Sequence, residues 1–271
     1  MQHSMVDPRA TSGAIAPLFP PRSQAIEFPW SAAQARGQLL YGFDSRNASS
    51  RSFNLIRSKL VALQRERGWR MIGVASATPN VGKSFISANL AAALSRDPRF
   101  QTYLLDLDLR RGTIKDIFGL YPETNLIDYL EGAGTGEMLV GFAPQGQELV
   151  IIPSVTSEIH SAELLASERA SALFGAMRAS DDRNYFICDL PPVFANDDAA
   201  IVMESLDGYI VVAQDGKSTQ REIEGAIDML GQERLAGVVL NKFRGGLVSE
   251  GYGIEDRYAQ YYPDTDADPD N

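Results

Sequence analysis

The run Met71-Ile72-Gly73-Val74-Ala75 leads through Ser76 into Ala77-Thr78-Pro79-Asn80-Val81-Gly82-Lys83-Ser84, and then into Phe85-Ile86-Ser87-Ala88-Asn89-Leu90-Ala91-Ala92-Ala93-Leu94. The first segment is short and apolar, as a buried strand requires, and the last is rich in helix-forming Ala and Leu. A strand, a glycine-containing loop and a helix N-terminus in that order aim successive backbone N–H groups at one point, which suits a polyphosphate. Pro79, Asn80, Val81, Gly82, Lys83, Ser84 and Phe85 are therefore the candidate nucleotide-binding residues. Lys83 is expected to reach the terminal phosphates and the Ser84 hydroxyl to ligate Mg²⁺. Ala77 stands where the common G-x-x-x-x-G-K-[ST] pattern has its first glycine, so the flanking strand and helix carry the assignment.

A chain of 271 residues with 44% hydrophobic and 22% charged residues has enough apolar material for one sizeable core. Its formal charge of -10 disfavours a nucleic-acid or anionic-membrane surface, because both need a positive field. The one cysteine, Cys188, has no internal disulfide partner, and its apolar neighbours make it a buried strand residue. Two histidines, His3 and His160, are too few for a His/Cys metal cluster. No apolar run has the length of a transmembrane helix, and the N-terminal residues do not pair a basic region with a following apolar one. A cytoplasmic protein without direct membrane insertion is expected.

Residues 1–49 carry Pro8, Pro17, Pro20, Pro21 and Pro29 without sustained periodicity and are expected to form a flexible N-terminal arm. The cluster Ile26, Phe28, Pro29 and Trp30 is the part of it suited to folding back onto the domain. Phe53, Ile56, Leu60 and Leu63 recur at helical spacing among Arg51, Arg57, Lys59, Arg65 and Arg67, predicting an amphipathic helix over 50–67. Strands are then expected at 70–76, 102–106, 149–153, 185–188, 208–213 and 235–240. Helices are expected at 83–96, 113–118, 125–130, 162–178, 197–204 and 219–230. This alternation predicts an α/β domain over 50–242: a mostly parallel twisted sheet with helices on both faces, the P-loop NTPase fold. Residues 243–271 are rich in Gly, Asp and Tyr and are expected to form a flexible acidic tail.

Two further strand ends supply carboxylates. Leu104-Leu105-Asp106-Leu107-Asp108-Leu109-Arg110 places Asp106 and Asp108 on one side of an extended segment, and Phe186-Ile187-Cys188-Asp189-Leu190-Pro191-Pro192 ends an apolar strand in Asp189. A lone strand-end Asp is usually a turn or helix cap. Together with the phosphate loop, the three carboxylates match what phosphoryl transfer needs: a cradle and lysine for phosphates, oxygen ligands for Mg²⁺, and a base for the nucleophile. The candidate catalytic residues are Lys83, Asp106, Asp108 and Asp189, and the candidate metal ligands are Ser84, Asp106 and Asp189.

These motifs resemble those of the bacterial tyrosine kinases of capsular and extracellular polysaccharide export, within the MinD/ParA-like P-loop ATPases. The resemblance runs from about residue 50 to the C-terminus. It rests on Ala75 to Ser84 with Ala88-Asn89-Leu90-Ala91 as Walker A, Leu105 to Arg110 as the A′ motif, and Ile187 to Pro192 as Walker B. Ala162 to Ser167 and Gly237-Val238-Val239-Leu240-Asn241 are also similar to family segments. It implies an ATP- and Mg²⁺-dependent tyrosine autokinase regulating polysaccharide polymerisation or export, with Asn241 near the adenine. Tyr252, Tyr258, Tyr261 and Tyr262, four of the chain's 10 tyrosines, are the implied phosphoacceptors. Arg110, Arg111 and Lys115 are suited either to receiving the acidic tail or to forming a solvated basic face. A membrane-anchored co-polymerase partner that recruits the protein to the inner face of the membrane, and a homo-oligomer, are also implied. The family's assembly helix carries a Glu and two Arg at three-residue spacing; the matching positions here are Arg51, Asn54 and Arg57. The alternative is a non-kinase ATPase switch or scaffold on the same machinery.

Overall fold

The computed structural model describes residues 18–133, 139–156 and 160–243. In chain order the elements are β1 (Ile26–Phe28), α1 (Ala32–Gly37), α2 (Arg51–Arg67), β2 (Met71–Ala75), α3 (Lys83–Ser95), β3 (Gln101–Asp106), α4 (Ile114–Phe118), α5 (Leu126–Glu131), β4 (Phe142–Pro144) and β5 (Leu149–Ile152). They continue with α6 (Ser161–Leu165), α7 (Glu168–Ala179), β6 (Asn184–Asp189), α8 (Asp198–Met203), β7 (Gly208–Gln214), α9 (Gln220–Leu230) and β8 (Leu235–Asn241). Among the described residues the strands form one sheet in the order β1-β4-β5-β3-β6-β2-β7-β8. All neighbours are parallel except β4 and β5.

Side chains alternate across the sheet and feed two cores. Ile72, Leu104, Ile187 and Ile210 point to the face covered by α2, α3 and α4, where they meet Leu60, Leu90, Leu94 and Ile114. Met71, Tyr103, Leu105, Phe186 and Tyr209 point to the opposite face, against Leu126, Leu173, Met177, Val202 and Ala226 of α5, α7, α8 and α9. The helix over 83–95 is buried nearly all round, which explains its run of Ala and Leu in place of an amphipathic stripe. Cys188 is buried on β6, and burial pushes its thiol far above the ordinary range. No described helix is long and apolar enough to cross a membrane.

The N-terminal segment departs from the expected arm from residue 18 onward. Phe19 is buried edge-on to Tyr103 at 5.6 Å and to Phe186 at 5.1 Å. β1 adds a parallel edge strand to β4, and Trp30 packs between Phe28, Phe43 and Phe118. Individual aromatics seated in a preformed surface provide this anchorage, so no periodic pattern betrays it. The single helix expected over 162–178 is two: α6 ends at Leu165, and Ser167 caps α7 by accepting the Ala170 N–H at 3.2 Å. The strand at 142–144 is only three residues long, too short to carry a readable pattern.

Candidate nucleotide-binding site

β2 delivers the chain to Ser76, whose hydroxyl donates to the Thr78 carbonyl at 2.8 Å and starts the loop. Asn80 (φ 65°) and Gly82 (φ 98°) take left-handed backbone, which helps turn backbone N–H groups to the inside of a concave loop. A Cβ at Gly82 would stand 2.2 Å from Asn241 Nδ2. Gly82→Ala is therefore expected to cost about 1–3 kcal/mol of stability and to weaken nucleotide binding, read by thermal unfolding and by calorimetric titration with ADP. Val81 is buried, whereas Pro79 and Asn80 are exposed. Phe85 is half-buried against Phe53 at 5.9 Å.

The carboxyl ends of β2, β3 and β6 are adjacent, so the loop meets the three carboxylates there. Lys83 is almost wholly buried, and its Nζ lies 3.6 Å from Asp108 Oδ2. Asp106 and Asp189 are register partners on β3 and β6, both fully buried. Asp189 accepts Ser84 Oγ at 2.5 Å on one oxygen and Ser87 Oγ at 2.8 Å on the other. Asp106 Oδ2 accepts the Ile114 N–H at 3.0 Å, while its Oδ1 is buried without a hydrogen-bond partner. Burial, then the neighbouring Asp189 charge, holds the Asp106 carboxyl well above the usual carboxylate range. Burial also raises Asp108, outweighing the pull of Lys83, and raises Asp189 against Lys83 and its two serine donors.

Among the described residues, no three His, Cys, Asp or Glu side chains form a self-sufficient metal site. Ser84, Asp106 and Asp189 nevertheless offer hard oxygen donors, and Asp106 Oδ1 is uncommitted. That set fits a Mg²⁺ ion whose other ligands are phosphate and water oxygens.

Asn241, at the end of β8, donates from Nδ2 to the Val81 carbonyl at 2.8 Å, so it lies on the loop rather than apart from it. Of the basic residues after β3, Arg110 Nε donates to Ser161 Oγ at 2.9 Å and to the buried Asp198 at 3.3 Å. Arg111 donates to Asn80 Oδ1 at 2.8 Å, and Lys115 to Asp116 at 2.6 Å. Tyr252, Tyr258, Tyr261 and Tyr262 lie outside the described residues. Residues unnoticed in the sequence also enter the site: Ser87, Thr113, whose hydroxyl donates to Ser84 Oγ at 2.7 Å, and Lys242, which donates to the Asn80 carbonyl at 2.9 Å. Ser87 was legible in principle, because it sits one turn after Ser84 on the same helix face; Thr113 and Lys242 arrive only through the sheet.

The EpsB protein of Ralstonia nicotianae is 32% identical over 235 residues, covering 83% of this chain and 30% of its own. The tyrosine-protein kinase wzc of Salmonella typhimurium is 32% identical over 180 residues, covering 65% of this chain and 24% of its own. The chain thus spans between about a quarter and a third of the length of these relatives. Among solved structures, the BceF tyrosine kinase domain is 26% identical with a TM-score of 0.64, covering 81% of this chain and 92% of that one. The CobQ/CobB/MinD/ParA nucleotide binding domain model matches residues 72–258, taking in the phosphate loop, Asp106, Asp108, Asp189 and Asn241. With the loop, the parallel sheet and the carboxylates all inside that span, the chain belongs to this nucleotide-binding family.

Proposed function

We propose that the chain is an ATP- and Mg²⁺-dependent protein-tyrosine kinase domain that phosphorylates its own C-terminal tyrosines and regulates polysaccharide polymerisation or export. The observation that carries this reading is the meeting of Lys83, Ser84 and three strand-end carboxylates at the carboxyl edge of one parallel sheet. The relatives named as tyrosine-protein kinases and the BceF kinase domain support the same chemistry.

The loop backbone from Pro79 to Phe85 cradles the phosphates, and Asn241, already seated on the loop, lies toward the base. Lys83 exchanges Asp108 for the terminal phosphates, a short swing for a long side chain. Ser84, Asp106 and Asp189 would hold the cation directly or through water, and Mg²⁺ would supply charge neutralisation at the transferring phosphoryl group. Asp106 or Asp108 takes the phenol proton. Tyr252, Tyr258, Tyr261 and Tyr262 are the acceptors, and each phosphate adds about -1.5 to -2 charges to an acidic segment, favouring release of the tail. A membrane-anchored co-polymerase brings the domain to the membrane and promotes assembly with other copies.

Replacing Tyr252, Tyr258, Tyr261 and Tyr262 together by Phe is expected to abolish phosphotyrosine formed with Mg-ATP while leaving ADP affinity unchanged, as read by an anti-phosphotyrosine blot and calorimetry. Undiminished phosphotyrosine would place the acceptors elsewhere.

One feature favours a second reading, an ATPase switch that transfers no phosphate to tyrosine. On α2, Asn54 Oδ1 accepts from Arg96, the C-cap of α3, and Arg57 donates to the Ala93 carbonyl at 3.4 Å, so both side chains are engaged at the C-terminal end of α3 of their own chain. Phosphate release without phosphotyrosine, with the partner's cytoplasmic segment present, would establish that reading.

A further inference from the structure

Thr113 stands at the N-terminus of α4, where a threonine ordinarily caps its own helix. Here its side chain makes no capping bond. The cap is supplied from another strand, since Asp106 Oδ2 accepts the Ile114 N–H at 3.0 Å. The Thr113 hydroxyl instead donates to Ser84 Oγ at 2.7 Å. The direction of that bond is fixed by its neighbours. Ser84 donates its O–H to Asp189 at 2.5 Å, whose other oxygen accepts Ser87, so Ser84 accepts from Thr113.

A serine oxygen bonded to its Cβ, donating to Asp189 and accepting from Thr113 has one lone pair left, and the two hydrogen bonds dictate where it points. The turn that presents Thr113 is itself constrained. Gly112 takes φ 52°, and a Cβ there would stand 2.7 Å from the Ser154 carbonyl. Arg111 and Gly112 both donate backbone N–H groups to the Asp108 carbonyl, at 3.0 and 2.8 Å. The segment from Asp106 to Ile114 therefore ties two carboxylates and one hydroxyl into a single frame around Ser84.

We infer that Thr113 is a positioning residue for the nucleotide-bound cation: it acts through Ser84, holding that oxygen's remaining lone pair toward the phosphate loop. This rests on the nucleotide and Mg²⁺ reading given above. Partners that orient a metal ligand without touching the metal are typically worth about 10- to 100-fold in affinity. Thr113→Val keeps the shape and removes only the donor; Thr113→Ser restores it.

The test is calorimetric titration of the full chain with ADP, in Mg²⁺ and in EDTA, for the wild type, Thr113→Val and Thr113→Ser, with thermal unfolding of each. Thr113→Val is expected to bind Mg-ADP about tenfold or more weakly, to bind ADP in EDTA as the wild type does, and to unfold within a few degrees of it. Thr113→Ser should recover most of the Mg²⁺-dependent gain. Equal or tighter Mg-ADP binding by Thr113→Val would overturn the proposal, as would equal loss in Mg²⁺ and EDTA, which marks a merely structural residue. A wild type that binds ADP no better with Mg²⁺ than without would instead refute the underlying cation reading.

Discussion

Lys83→Met is expected to lose tyrosine phosphorylation by at least about 100-fold, the cost of removing one preorganised charge from a phosphoryl-transfer site. Its affinity for ADP should fall about 10- to 100-fold, the worth of a charge-assisted hydrogen bond. The fold itself should survive with a modest loss. Lys83 is buried against Asp108, and its removal leaves that carboxylate without its cation. Asp108 already sits above its ordinary range because of burial, and losing Lys83 removes one of the attractions that hold it down, so its proton affinity rises further. The variant should accordingly lose stability as the pH rises from about 4 toward neutrality, more steeply than the wild type. Denaturant unfolding at several pH values in EDTA reads this directly.

Asp106→Asn is expected to act in opposite directions on stability and activity. The Asp106 carboxyl is fully buried beside Asp189 and held well above its unfolded value. A carboxyl with a raised folded pKa binds more protons in the native than in the unfolded state between the two values. Stability therefore falls as pH rises through that window, starting near the unfolded value of about 4. Asparagine keeps an oxygen for the Ile114 N–H, removes the charge, and offers Asp189 an N–H₂ donor. The nucleotide-free variant should gain about 1–2 kcal/mol at neutral pH, roughly 2–8 °C in melting temperature for a chain of this size. Its pH dependence should be flatter than that of the wild type. Phosphotyrosine formation should fall about 10²- to 10⁴-fold, as for loss of a general base. A less stable, fully active variant would contradict both roles assigned to Asp106.

What was legible in the sequence follows from where the information sits. The strands 71–75, 101–106, 149–152, 184–189 and 208–214 are buried on both faces, so each is a near-continuous apolar run. The helix over 51–67 shows because only one face packs, and that over 220–230 because Thr219 and Glu222 form a capping box. Asp106 and Asp189 stood out as charges ending apolar runs, and the structure brings them side by side as register partners. The N-terminal anchorage stayed hidden because Phe19 and Trp30 act singly. Thr113 stayed hidden because its local sequence predicts a helix cap, whereas its partner Ser84 lies 29 positions away and is reached only across the sheet. Local pattern records which face of an element is buried; it carries no record of a hydroxyl borrowed by a neighbouring helix.

The central claim is that the loop around Lys83 and Ser84 delivers phosphate to tyrosine. It is tested most directly by intact-mass measurement after incubation with Mg-ATP and the partner's cytoplasmic segment, on the wild type beside Lys83→Met. The wild type is expected to gain one or more phosphoryl groups, mapping to Tyr252, Tyr258, Tyr261 or Tyr262, with Lys83→Met unchanged. An unchanged wild-type mass, or equal phosphorylation of both proteins, would contradict it.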